Sequence, residues 1–183
     1  MRDIQGTPQV NRRSSSIKQV AALPYRIDEK GQVQVLLITS RGTRRWVLPK
    51  GNRIAGLTPS QAAAQEAFEE AGVTGVTSRR PLGRYDYLKQ RNDGSCRRAT
   101  VDVYPLAFEA QANQWPEQHQ RKMQWFDLPE AARAVDEADL NALIAAFRVP
   151  RRTGAAALAG TLARKARRLL RRAGIRRGNA IPE

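Results

Sequence analysis

Apolar positions along the chain fall first into strand-length runs and only later into helical stripes. Ile17 to Ile27 carries the run Val20-Ala21-Ala22-Leu23 and reads as a first core strand. Asp28-Glu29-Lys30-Gly31 is turn chemistry, and Val33 to Thr39 (VQVLLIT) is a β-branched second strand. Trp46, Val47 and Leu48 make a short third strand, after which Pro49-Lys50-Gly51 is expected to turn the chain. Val73 to Val76 and Leu82 to Leu88 are further strand material. Asn92-Asp93-Gly94 marks a hairpin leading to a strand over Ala99 to Phe108. There Asp102 and Tyr104 alternate with Val101, Val103 and Leu106, which predicts a half-exposed strand. Glu109 to Gln120 reads as a loop in which Trp115 caps the core or stacks on a ligand, core packing being the commoner role for an isolated aromatic. Arg121 to Phe126 is a short strand, Leu128-Pro129-Glu130 opens a helix, and Asp136 to Phe147 has Leu140, Leu143, Ile144 and Phe147 on one helical side.

The helix between Thr58 and Gly72 is the best specified element. Thr58 is a natural N-cap, Pro59 suits the first helical position, and Gln61 completes a capping box. Ala62, Ala63, Ala64 and Ala67 favour the helix and Gly72 stops it. Glu66, Glu69 and Glu70 stand at i, i+3 and i+4, so one helical turn presents three carboxylates that repel each other. Taken alone, such a turn is usually a solvated face. A divalent cation is the other explanation, and magnesium, which prefers oxygen ligands, is the natural one.

Composition narrows the chemistry. A chain of 183 residues suits one domain plus tails. Cys96 is the only cysteine and His119 the only histidine, which excludes a disulfide framework and makes a histidine-based metal site a poor fit. No apolar run approaches a membrane span, and no apolar signal core opens the chain, so a cytoplasmic location is the expectation. Of the net charge of +15, residues 151–183 contribute +9, from ten Arg or Lys against Glu183 alone. Such a chain attracts polyanions. Arg41, Arg44 and Arg45 arrive just before the glycine and carboxylate segment, where guanidinium forks suit phosphate oxygens, although loop arginines are commonly just solvated. Lys50 could pair with a phosphate or with a helix glutamate.

Gly51, Glu66, Glu69, Glu70, Gly72 and Val73, with Ala67 between them, resemble the Nudix box, G-x5-E-x7-R-E-U-x-E-E-x-G-U with U apolar. Leu57 replaces the first Glu of that pattern and Gln65 its Arg. The two usually brace the loop on the helix, and losing both leaves no lone charge, so a changed brace is expected beside an intact metal cluster. The resemblance spans residues 17–147 and implies a Nudix-type α/β/α sandwich with a mixed β-sheet. It also implies hydrolysis of a phosphoanhydride, magnesium or manganese held by Glu66 and Glu70 with help from the backbone at Gly51, and Glu69 as general base. IKQVAAL, Thr39-Ser40-Arg41, RRWVLPKG and RKMQWF are similar to segments of the diphosphoinositol polyphosphate phosphohydrolases within that family. By that resemblance Lys18, Arg41 and Lys122 are candidate phosphate contacts with Ser40 beside them, and Arg45 and Lys50 join them from the charge pattern above. A phosphorylated small molecule, a diphosphoinositol polyphosphate or a dinucleoside polyphosphate, is the implied substrate.

The expected organisation is a flexible lead-in over 1–15, the α/β domain over 16–150, and a basic amphipathic helical tail over 151–183. Leu158, Leu162, Leu169 and Ala173 fall on one side of that tail and arginines cover much of the rest. A solvated tail, nucleic-acid binding and an anionic membrane surface all stay open for it. Two further readings compete with the small-molecule hydrolase. One is a Nudix enzyme acting on RNA 5' ends, supported by the basic tail, or on another nucleoside diphosphate derivative. The other is a non-catalytic binding module, motivated by Leu57 and Gln65, against which the retained carboxylates argue.

Overall fold

The computed structural model of the chain describes residues 16–90 and 94–150. The expected lead-in and basic tail therefore lie outside the described residues, as do Asn92 and Asp93. Among the described residues eight strands form one mixed sheet: β1 (Ile17–Ile27), β2 (Val33–Thr39), β3 (Trp46–Val47), β4 (Lys50–Asn52), β5 (Val73–Thr77), β6 (Gly83–Gln90), β7 (Cys96–Gln111) and β8 (Met123–Asp127). Its backbone path runs β3-β2-β1-β7-β5, with β8 on β2, β4 on β1 and β6 on β7. The pair β1–β7 is parallel, and this pairing makes the sheet mixed. Helix α1 (Pro59–Ala71) packs on β1, β4, β5 and β7, while α2 (Leu128–Ala134) and α3 (Ala138–Ala145) pack on the opposite face. The arrangement is the expected α/β/α sandwich.

Each face has a reason in the sequence. On the α1 side, Val20, Ala22, Leu36, Ile38, Tyr104 and Leu106 meet the alanine stripe Ala62, Ala63, Ala67 and Ala71. Small side chains let the helix lie close to the strands, so even short-reaching groups in that stripe touch the sheet. On the other side, Leu140, Ile144 and Phe147 are fully buried. Gly83 admits Leu143, since a Cβ there would stand 2.4 Å from the leucine methyl. The caps of α1 form as expected. Thr58 and Gln61 make the full capping box, and Gly72 closes the helix at φ 66°.

Three local expectations are corrected. Lys50 to Asn52 is a strand on β1, in register Ala21↔Lys50, Val20↔Gly51 and Gln19↔Asn52, and not a turn. Proline and glycine are turn signals, but the open backbone beside β1 offered ladder partners that the local sequence cannot display. Strand β7 is longer than expected, and Asp102 and Tyr104 are buried within it. The alternation suggested one wet face, whereas both faces are covered and Asp102 is screened by Arg53 and Arg84. Helix α3 starts at Ala138 instead of Asp136, because Asp136 and Glu137 turn their side chains to Arg45.

Candidate active site at the β4–α1 junction

Gly51 and Glu66 define the centre of the site. Gly51 shares its face of the sheet with Val20 and so points at α1. A Cβ on Gly51 would stand 1.9 Å from Glu66 Oε1, so the glutamate occupies the space that the glycine leaves open. Only glycine permits that approach. One turn on, Glu70 is 8% exposed. Its Oε2 accepts from the Lys50 backbone N–H at 2.9 Å and its Oε1 from the Arg121 guanidinium. Arg121 also donates through Nε to Glu117 Oε2 at 2.8 Å and through Nη1 to the Thr39 carbonyl at 3.1 Å. Glu69 sits at the rim, half-buried, accepting a 2.6 Å hydrogen bond from the Gln65 amide. The structure thus brings Glu66 and Glu70 inward together and leaves Glu69 at the edge.

The electrostatics follow from that crowding. Burial first, and then the charges of Glu70, Glu69 and Glu117, raise the Glu66 carboxyl from 4.5 to about 7. Glu70 is also raised, by burial, against the opposing pull of Arg121 and of the Lys50 N–H. Glu66 has, among the described residues, no cation within ion-pair distance. This region carries more negative charge than its own cations neutralise.

Does this arrangement fit a divalent cation? Among the described residues no three carboxylate, imidazole or thiol groups already converge on one point. Glu70 is instead turned to Arg121 and Glu69 to Gln65. The donors are nonetheless all hard oxygens, and Glu66 rests in a cradle that a Cβ would fill. Its pKa is raised first by burial and then by neighbouring carboxylates, and bound positive charge relieves the second of these. The donor set therefore suits magnesium or manganese, with Glu66 and Glu70 as ligands and the backbone of Gly51 beside them.

The other expected site residues are distributed as follows. Lys50 gives its backbone to Glu70, but its side chain leaves on the opposite face, with Nζ 5.5 Å from the Tyr87 ring centre. Burial lowers its pKa, against attraction from Glu70 and Glu137. Arg45 joins it there, bound to Glu137 at 2.9 Å and Asp136 at 3.6 Å. Burial pushes Tyr87, in the same cluster, up to about 12. Ser40 bonds Thr43 at 2.8 Å. Arg41 reaches Glu117 at 3.3 Å with most of its side chain in solvent. Lys122 is exposed and tethered by its backbone N–H to Thr39 Oγ1 at 3.0 Å. Lys18 is exposed on β1, two positions before Val20 and on the same face. Trp115 takes the packing role, its ring filling the space where a Cβ on Gly72 would be. Leu57 is 40% exposed, and Gln65 braces Glu69 within the helix itself.

Sequence reading missed Arg121 and Glu117. Arg121 was expected to open a strand, but β8 starts at Met123 and leaves Arg121 in the preceding loop; it lies 51 positions from Glu70, and no local signal links it to a distant buried glutamate. Arg44, expected with Arg41 and Arg45 either to suit phosphate oxygens or to be solvated, has a partner within the protein. It adopts φ 58° and donates to the Gln120 carbonyl at 2.9 Å, tying the 40–45 loop to the loop that carries Glu117 and Arg121.

The fold is thus a sandwich whose first helix lays Glu66 on a glycine of the sheet with Glu70 one turn on. The NUDIX domain family matches residues 17–147, and the chain belongs to that family. Among its relatives is Nudix hydrolase 13, mitochondrial, of Arabidopsis thaliana, 33% identical over 110 residues, which are 57% of this chain and 54% of that protein. Another is diphosphoinositol polyphosphate phosphohydrolase 3-beta of Bos taurus, 32% identical over 120 residues, 64% of this chain and 68% of that protein. The chain spans about half to two thirds of the length of the curated relatives it matches. The crystal structure of C. elegans Ap4A hydrolase aligns with a TM-score of 0.52 at 22% identity, covering 72% of this chain and 95% of that one, a likeness of fold.

Proposed function

We propose that this protein hydrolyses a phosphoanhydride bond in a phosphate-rich small molecule, a diphosphoinositol polyphosphate or a dinucleoside polyphosphate, with magnesium as cofactor. The observation that carries the reading is Glu66, a carboxylate on an open glycine, raised to about 7 and lacking a cation among the described residues. Glu66 and Glu70 would hold the metal. When bound, magnesium neutralises charge on the phosphate chain and acidifies water. Glu69, half-buried at the rim, would accept the proton of the attacking water as its oxygen bonds to phosphorus and the bridging P–O bond breaks. Glu69 is assigned this role by family resemblance.

Lys18, Arg41 and Lys122 offer exposed charge around that centre for a polyanion. The likeness to a diphosphoinositol polyphosphate phosphohydrolase favours the same class of substrate. Lys50 and Arg45 lie on the other face and would act on the substrate only where it reaches round the edge of the sheet. Lys50→Met tests this, since a lysine that only packs over the Tyr87 ring leaves KM unchanged when replaced, whereas loss of a phosphate contact raises it.

A second reading, a binding module without catalysis, has one observation in its favour. Glu70 already has two partners in Arg121 and the Lys50 N–H. A phosphate-release screen with and without magnesium separates the two. The panel comprises diphosphoinositol polyphosphates, dinucleoside polyphosphates, nucleoside diphosphate derivatives and capped RNA. Magnesium-dependent release from the first two groups is expected. Release from none of them would leave the binding module.

A further inference from the structure

The registers of four strands place Gly51, Val20, Asp102 and Arg84 in one cross-strand row, on the side of the sheet that carries α1. At about 4.8 Å per strand, Asp102 lies about 10 Å from Gly51 across the sheet, and Arg84 one strand further. Asp102 is 9% exposed, between Val20 and neighbours as apolar as Tyr104. Its Oδ2 takes Arg53 Nη2 at 3.0 Å, and its Oδ1 takes Arg84 Nη2 at 3.1 Å. Arg53 comes from the end of β4, directly after the strand that carries Gly51.

Neutralising Asp102 alone needs one arginine, and an apolar residue would serve the sheet without any. The pair is instead held with a surplus positive charge. Each guanidinium gives Asp102 a single nitrogen, so neither uses its two-pronged fork on the carboxylate, and the side chains are 52% and 69% exposed. Their remaining N–H groups are open to an anion, and the buried carboxylate fixes their position beforehand. Lys18 stands on the same face one step along β1, adding charge to that side. Solvated arginines on a sheet edge need no such anchor.

We propose that Arg53 and Arg84, positioned by Asp102, form a binding subsite for phosphoryl groups distal to the scissile bond. The proposal rests on the phosphoanhydride reading of the Glu66 and Glu70 site. It makes the chain selective for substrates that carry phosphoryl groups beyond the two of the scissile bond, in a linked chain or a close cluster.

The test is calorimetric binding of inorganic tripolyphosphate and of pyrophosphate to the full chain without metal. Three proteins are compared: wild type, Arg84→Gln, and Arg53→Gln/Arg84→Gln/Asp102→Asn, in which no buried charge is left without a partner. The triple variant is expected to bind tripolyphosphate about tenfold more weakly or worse, and pyrophosphate with much less change. Arg84→Gln, which keeps Arg53 on Asp102, should lose a smaller part of the same affinity and decides the question by itself should the triple variant not fold. Tripolyphosphate affinity unchanged in the variants, or absent in wild type, overturns the subsite. Tripolyphosphate binding that depends on the arginines, together with no phosphate release in the screen above, would overturn the hydrolase reading and leave the subsite standing.

Discussion

Lys50 and Gly51 are neighbours in sequence and face opposite sides of the sheet, and the two sides handle buried charge differently. On the far side, Glu137 meets Arg45 at 2.9 Å, and Tyr87 donates to Gln19 at 2.7 Å, which in turn donates to Asn52 at 3.1 Å. On the α1 side, Glu66 lies against Gly51 and Glu70 accepts from the Lys50 N–H, with Arg121 the one cation among the described residues in direct contact with either. The first cluster satisfies most of itself with protein groups. The second retains an excess of negative charge, a state that costs folding free energy unless something from outside neutralises it. On the proposed function, the difference separates a cluster that holds the fold from one that takes a ligand.

The largest effect expected is on turnover. Glu70→Gln keeps the shape of the side chain and an acceptor for the Lys50 N–H but removes a metal-binding charge. Magnesium-dependent phosphate release should fall by about a hundredfold or more while circular dichroism is unchanged. Near-normal release would end the metal assignment. Next in size is a pair of stability measurements across the two faces. Arg121→Ala leaves Glu70 buried beside no guanidinium and should cost about 3–5 kcal/mol in urea unfolding, with magnesium restoring part of it. Arg45→Ala exposes Glu137 to the same kind of loss, but Arg45 is more exposed, so about 1–3 kcal/mol is expected, with no rescue by magnesium. Equal response of the two variants to magnesium would erase the distinction between the faces.

Smaller again is Gly51→Ala, whose methyl group would force Glu66 to move. Metal affinity should drop by about tenfold or more with folding stability little affected, as seen by calorimetry beside a thermal melt. The smallest effect is on pH. Glu66 titrates near 7 in the folded chain against an ordinary 4.5, so between those values the folded state binds the proton more tightly. Its contribution to stability is therefore full below 4.5 and is lost as pH rises through 7. The urea midpoint of the metal-free protein should show this component between about pH 5 and about pH 8. It should disappear in Glu66→Gln and shrink when magnesium is added. A component that persists in Glu66→Gln belongs to another group.

What could be read from the sequence was what is local. The capping box at Thr58, the αL stop at Gly72 and the alanine stripe are written in adjacent residues, and α1 formed as expected. The period-2 and apolar runs located β1, β2 and most of β5 to β8. Strand β4 was not legible, because Lys50 to Asn52 becomes a strand only where β1 supplies its partners. Asp102 looked wet because its cover, Arg53 and Arg84, comes from two other strands' ends. At the site, the spacing of Gly51, Glu66 and Glu70 carried its centre, while Arg121 and Glu117 come from a loop about fifty positions away that only the fold brings in. Likewise, no pattern in the sequence says that Lys50 turns its backbone to one face and its ammonium to the other.

The account stands on a divalent cation at Glu66 and Glu70, and manganese, a paramagnetic substitute for magnesium, reports on it directly. Electron paramagnetic resonance should show manganese bound to the wild-type chain, displaced by magnesium, and held at least about tenfold more weakly by Glu66→Gln/Glu70→Gln. Equal binding by the wild type and that variant, or no binding by the wild type, would contradict it.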